Sequence, residues 1–321
     1  MVGAPGGQLA GIAPSGRQLL LRSGGIEAVV TEVGAGLRAL SFDAVPVVWG
    51  YEESAMASGG RGQLLAPWPN RLEDGSYEFG TTAAVAPLDE PERHNAIHGL
   101  VRWLLWDVVE HTEEGATLSC ELAPQPGYPW RLRLEARYSV GNGGLVVELT
   151  AQNLSGVRAP FGLGAHPYLE AGQRGLDTCT LRLGAGRRLA LDKRGLPQGW
   201  RAAGSLERDL AGGCSMSGLR LDDCFGDLGA TAEWEMPAGA AWQAVLTRDD
   251  GRVIGLWADS RWPYVMCYTG DTLGVSDRRR AVAIEPMTCP PNALRTGESL
   301  IVLEPGVTWS GRFGIWSSSG P

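Results

Sequence analysis

The sequence predicts an all-β protein, a large antiparallel β-sandwich with few short helices. Three observations predict it. Apolar residues recur with period two, turns rich in glycine and asparagine separate the alternating runs, and 46 glycines and 20 prolines cut the 321 residues into short extended pieces. At 44% hydrophobic and 20% charged, the chain has enough apolar matter for a large core. No low-complexity linker or internal repeat divides it. Residues 1–321 are therefore expected to form one domain with frayed ends, the Gly/Pro-rich first dozen residues and the Ser-Ser-Ser-Gly-Pro tail.

The elements follow in chain order. An extended stretch runs from Glu27 to Val48, with turns at Gly34 and Gly36. Leu132, Leu134, Ala136, Tyr138 and Val140 alternate with residues such as Arg133, Glu135 and Arg137. Gly141-Asn142-Gly143-Gly144 then supplies positive φ angles, and the alternation resumes at Leu145, Val147 and Leu149, which predicts a hairpin. Ser205–Leu210 has room for one or two helical turns before Gly212-Gly213 stops them. A second hairpin is expected about Asp249-Asp250-Gly251, between Trp242–Leu246 and Val253–Trp257.

Composition excludes several functions. A formal net charge of −8 argues against a nucleic-acid partner, since phosphate binding needs a basic surface. The one basic run, Arg278-Arg279-Arg280, reads as a solvated turn. The N-terminus lacks the basic and apolar regions of a secretory signal, and no apolar run is long enough to span a bilayer. Six scattered cysteines without Cys-x-x-Cys spacing predict free, buried thiols in a reducing cytoplasm. There is no glycine-rich phosphate cradle and no Gly-x-Ser-x-Gly elbow, so neither a nucleotide cofactor nor a serine nucleophile is expected.

Three distant segments end apolar runs on groups that move protons. His98 sits between Ile97 and Gly99, His166 precedes Pro167, and Glu285 follows Ala281-Val282-Ala283-Ile284 and precedes Pro286. Proline holds the residue before it extended, so His166 and Glu285 sit on defined backbone. Burial would raise the Glu285 pKa and make it a base near neutrality, although a buried ion pair with an arginine would look the same locally. His94 and His98 have His-x-x-x-His spacing, but Pro91 and Gly99 bracket the segment and break the helix a metal site would need, so no metal is expected. Pro67-Trp68-Pro69-Asn70-Arg71 presents an amide and a guanidinium suited to neighbouring hydroxyls, or a turn arginine that braces its loop. Leu221-Asp222-Asp223-Cys224-Phe225 adds carboxylates beside an aromatic ring, either a sugar subsite or a surface turn.

In order, these segments resemble the aldose 1-epimerase (galactose mutarotase) family. The matching pieces are Pro67-Trp68-Pro69-Asn70-Arg71-Leu72, Ile97-His98-Gly99-Leu100, Gly164-Ala165-His166-Pro167-Tyr168-Leu169, Leu221 to Phe225, Tyr268-Thr269-Gly270-Asp271, and Ile284-Glu285-Pro286-Met287-Thr288-Cys289 continuing to Ala293. The resemblance implies an antiparallel β-sandwich with its site in a groove on one sheet. It implies Glu285 as general base, His166 as general acid and His98 as an aid at the ring oxygen or nearby hydroxyls. It further implies sugar binding by Asn70, Arg71 and Asp222, with Phe225 fixing Asp222 rather than Asp223 in register. The implied reaction is cofactor-independent interconversion of the anomers of a free aldohexose. Met266 departs from a glutamine common in the family, so a sugar-facing amide would become a thioether, with a changed sugar preference as the expectation. Two other readings remain open on the same fold: a mutarotase for a phosphorylated hexose, using Arg61, Arg71, Arg102 and the Arg278–Arg280 run, and a non-catalytic sugar-binding module.

Overall fold

The computed structural model describes residues 13 to 231 and 233 to 319. Two antiparallel ladders stack over a common core. The first carries the site. In spatial order it runs Gln18–Ser23, Ile26–Thr31, Leu37–Phe42, Val45–Val48, Tyr168–Glu170, Ala281–Met287, Tyr264–Tyr268 and Asp222–Gly229. The second runs Asp107–His111, Gly115–Leu122, Leu132–Gly141, Gly144–Asn153, Thr308–Ser319, Arg252–Ala258 and Trp242–Thr247. One long strand, Thr180–Leu191, joins the two, and Pro197–Ala202 pairs with its second half. Thr180 to Leu183 pair with the second ladder, and Gly184 to Leu189 pair with the first.

Alternation explains the layers. Leu132, Leu134, Ala136, Tyr138 and Val140 are all buried, and Arg133 and Arg137 face solvent. The expected hairpin forms, with Gly141 paired to Gly144 across Asn142-Gly143. The second hairpin also forms, as Trp242–Thr247 against Arg252–Ala258. Between Ile26 and Val48 three strands turn near Gly34 and Asp43-Ala44. The longest helix among the described residues is Ser205–Gly212, where Glu207 accepts the backbone N–H of Gly204 at 2.6 Å and Gly213 caps the end.

Two expectations need correction. The tail was expected to fray, but Ser317, Ser318 and Ser319 complete the last strand by pairing with Ile254, Val253 and Arg252. Polar residues suit an edge where the ladder supplies the backbone partners. The first twelve residues and Gly320-Pro321 lie outside the described residues. In the basic run Arg278 and Arg280 are exposed, but Arg279 is tied to Asp177 at 2.9 Å and to Asp271 at 3.3 Å. All six cysteines are free, five of them buried. No helix among the described residues is long and apolar enough to cross a membrane.

Candidate active site

Register places the chemistry. In the site ladder Ile284, Val282, Val265 and Phe225 point into the core, so their neighbours in sequence point outward. Two rows of side chains result. One row is Tyr168, Ala283, Tyr268 and Asp222, and the next is Glu285, Met266, Cys224 and Leu189. His166 precedes Tyr168 by two residues and so joins the same face. This resolves the two aspartates. Asp222 lines the cleft, while Asp223 turns away to Arg188 at 3.2 Å.

The cleft over these rows has a volume of about 560 Å³ and is lined by all six expected residues: Asn70, Arg71, His98, His166, Asp222 and Glu285. That volume is in the range of small-molecule sites. His166 Nε2 lies 3.3 Å from Glu285 Oε1, and both side chains are buried. The His98 and His166 rings meet edge to face at 5.3 Å, and Tyr168 stacks on His166 at 5.0 Å. Tyr168 is fixed in turn by donating its hydroxyl to the Gly59 carbonyl at 2.7 Å. Gly60 packs closely against His166. Its φ is +76°, and a Cβ there would stand 2.4 Å from the imidazole Cδ2, so only glycine fits.

His98 comes from the segment that pairs Arg71 with Ile97. Its backbone N–H donates to the Asn70 carbonyl at 2.9 Å, and its Nδ1 accepts the Asn70 N–H at 3.2 Å. Because Nδ1 accepts, the neutral ring carries its proton on Nε2. Gly99 follows with φ +69°, and a Cβ would stand 2.1 Å from the Ala66 carbonyl. The Ala66–Pro67 peptide is cis.

Burial dominates the electrostatics. It raises the Glu285 carboxyl well above its usual value, the Asp222 charge adds to this, and Arg71 partly opposes it. Burial lowers His166 to about 3 and holds His98 well below 6.5, with the charge of His166 as the next cause. Both imidazoles are therefore neutral across the ordinary range. Glu285 Oε2 and His166 Nδ1 are buried without a hydrogen-bond partner.

His98, His166 and Glu285 offer ligand atoms within 4.8 Å of one another, a set that could in principle grip a divalent metal. The His98 tautomer argues against it. A metal ligand needs a lone pair facing the site, with the other nitrogen donating outward. Here Nδ1 accepts from Asn70, and His98 presents N–H to the cleft. His94 is exposed and lies 2.9 Å from Asp74 instead.

Sequence reasoning missed the wall that holds Arg71. Glu90 accepts from Arg71 Nε at 2.9 Å and from its Nη2 at 3.0 Å, and accepts from Asn95 Nδ2 at 3.0 Å. Burial would raise the Glu90 carboxyl, but the hydrogen bonds and charge of Arg71 outweigh it and hold it below the usual range. Arg93 stands 3.9 Å from Asp222, and Arg102 pairs with Asp89. All three arginines that line the cleft thus already face carboxylates. Arg61, raised as a possible phosphate ligand, instead stacks on Trp49 at 4.1 Å and bonds the Gly50 carbonyl. Met266 also departs from expectation. It is not among the residues that line the cleft but is buried beside Glu285, packed with Leu189, Cys224, Tyr264 and Met287.

Comparisons with known proteins bear on the fold and the family. The chain is 32% identical over 307 residues to the uncharacterised protein YihR of Escherichia coli (strain K12), covering 95% of each. Its fold is similar to the GalM/aldose epimerase homologue of C. elegans, with TM-score 0.81, 17% identity and 95% and 99% of the two chains covered. It is also similar to galactose 1-epimerase from Lactobacillus acidophilus NCFM, with TM-score 0.73, 21% identity and 94% and 93% covered. The family model described as aldose 1-epimerase matches residues 17–316, and the chain belongs to the aldose 1-epimerase family.

Proposed function

We propose that the protein is an aldose 1-epimerase that interconverts the α and β anomers of a free aldohexose by opening and reclosing the ring. The observation that carries this is the buried contact of His166 with Glu285 at 3.3 Å on the cleft face. Burial raises the carboxyl and lowers the imidazole, so the pair retains one proton toward neutrality. That proton can sit on either group, and such a pair titrates as a unit. At rest that proton is on Glu285 and His166 is neutral; handing it across the contact to His166 gives the reactive form, with one acceptor and one donor side by side. Anomeric interconversion asks for the same arrangement, because the two oxygens whose protons change are bonded to one carbon.

The step then balances. Glu285 takes the proton of the anomeric hydroxyl while His166 protonates the ring oxygen, and the C1–ring oxygen bond breaks to give the aldehyde. Rotation about C1–C2 presents the other face. On closure the groups exchange roles, His166 taking the proton from the attacking hydroxyl and Glu285 returning its own to the carbonyl oxygen. The neutral His98 supplies a fixed Nε2–H to an oxygen in between, which supports charge developing there. Asn70, Arg71 and Asp222 bind the remaining hydroxyls, and Tyr268 and Leu273 offer apolar surface to ring C–H groups. The pairing of Arg71, Arg93 and Arg102 with carboxylates favours an uncharged substrate.

Polarimetry of freshly dissolved α-glucose and α-galactose tests this, with glucose 6-phosphate alongside. Accelerated mutarotation of a free sugar is the expected result. Selective action on the phosphate would overturn the neutral-sugar reading, and no acceleration of any sugar would favour a binding module. A second expectation concerns Glu90. Glu90→Gln keeps the size but loses the charge that aligns Arg71, so KM should rise about tenfold with kcat little changed. Initial rates across sugar concentration decide it. A fall in kcat at constant KM would place Arg71 in the chemistry rather than in binding.

A further inference from the structure

Glu285 meets a different neighbour on each side. Toward His166 it has a polar partner on Oε1, whereas Oε2 has none. The residue directly opposite Glu285 in the adjacent strand is Met266, 1% exposed. Side chains directly opposite in an antiparallel ladder share a face and stand about 5 Å apart at Cβ. Beyond Met266 the row continues with Cys224 and Leu189, and Met287 and Tyr264 complete an apolar cluster.

We propose that Met266 is a positioning residue for the Glu285 carboxylate: its thioether closes the flank opposite His166 with apolar surface and leaves Oε2 without a donor. The proposal rests on the reading of Glu285 as the base.

The charged and titratable groups facing Glu285 narrow the choice. His166 engages Oε1. Arg71 gives its Nε and Nη2 to Glu90, so that it acts on Glu285 by charge alone, drawing the carboxyl down, and the Tyr168 hydroxyl donates to Gly59. The ring of His98 is neutral, and the Cys224 thiol is pushed far up by burial, so neither brings charge. Asp222 disfavours the carboxylate rather than stabilising it. The Met266 flank is therefore where a single side chain decides whether the carboxylate gains a second hydrogen bond. Withholding that bond destabilises the charged form and leaves a more avid proton acceptor.

Met266→Gln tests this, because glutamine matches methionine in length and adds a donor. Titration of the Glu285 carboxyl by 13C NMR or infrared difference spectroscopy should show its midpoint falling by about one pH unit. The limb of the pH–rate profile that Glu285 controls should move to lower pH by the same amount. Met266→Leu, apolar and similar in volume, should leave both in place. An unshifted midpoint in Met266→Gln overturns the proposal, and so does an equal shift in Met266→Leu. If Met266→Gln does not fold, Met266→Thr brings a hydroxyl on a residue suited to strands and is read the same way. The carboxyl titration needs no sugar. A wild-type protein inert toward every aldose would sink the epimerase reading while the titration still judged Met266.

Discussion

Glu285→Gln is expected to slow mutarotation to about a hundredth to a ten-thousandth of the parent rate, the usual contribution of one general acid–base group. Glutamine fills the same space and can still accept from His166 Nε2, but it cannot take up a proton. The loss should appear in kcat, because the interaction is made in the transition state. The same substitution should make the fold more stable. The native carboxyl titrates above 4.5 and the unfolded one at about 4.5, so between those values the native state holds a proton that the unfolded chain has released. Stability of the parent is therefore lost as pH rises from 4.5 through the native value, and the loss is complete above it. Glutamine carries no charge at any pH and escapes this. Melting at pH 5 and pH 8 should show the advantage of the variant growing with pH. A folded variant that keeps near-parental rate on the best sugar would remove Glu285 from the mechanism.

His166→Asn should lower kcat by a similar factor, with the opposite stability signature. The native imidazole titrates at about 3 and the unfolded one at about 6.5. From pH 6.5 downward the unfolded chain binds a proton that the native state refuses, so acid destabilises the parent across that window. The variant lacks this liability, and its melting temperature should fall less on acidification from pH 7 to pH 4. Loss of the stacked contact with Tyr168 sets a constant penalty at every pH, which separates packing from titration. Equal acid sensitivity in parent and variant would mean that His166 is not held neutral by the fold.

The layers were legible because burial imposes period two on each strand, and Leu132 to Val140 and Leu145 to Leu149 display it on either side of one turn. The catalytic candidates were legible for a related reason. Each interrupts an apolar run, although an ion pair or a structural histidine would look the same locally, and it is their order along the chain that sets them together. Glu90 was not legible. Nothing near it in sequence differs from a surface turn, and its meaning comes from Arg71, nineteen residues away, folding over it. Met266 was misjudged because its neighbour is decided by register between strands, which the local pattern of either strand leaves open. The serine tail was misjudged because strand pairing there is backbone to backbone and places little demand on side chains.

The strand shared by both ladders has a consequence for how the molecule assembles. Thr180–Leu191 must find Trp242–Thr247 along its first part and Asp222–Gly229 along its second before either ladder is complete. The site adds further closures, since Asn70 must meet His98 and His166 must meet Glu285 across 119 residues of chain. Such non-local pairings carry their loop-closure entropy before they return any contact energy, and they slow folding. The proton-moving pair thus forms only once the chain topology is settled.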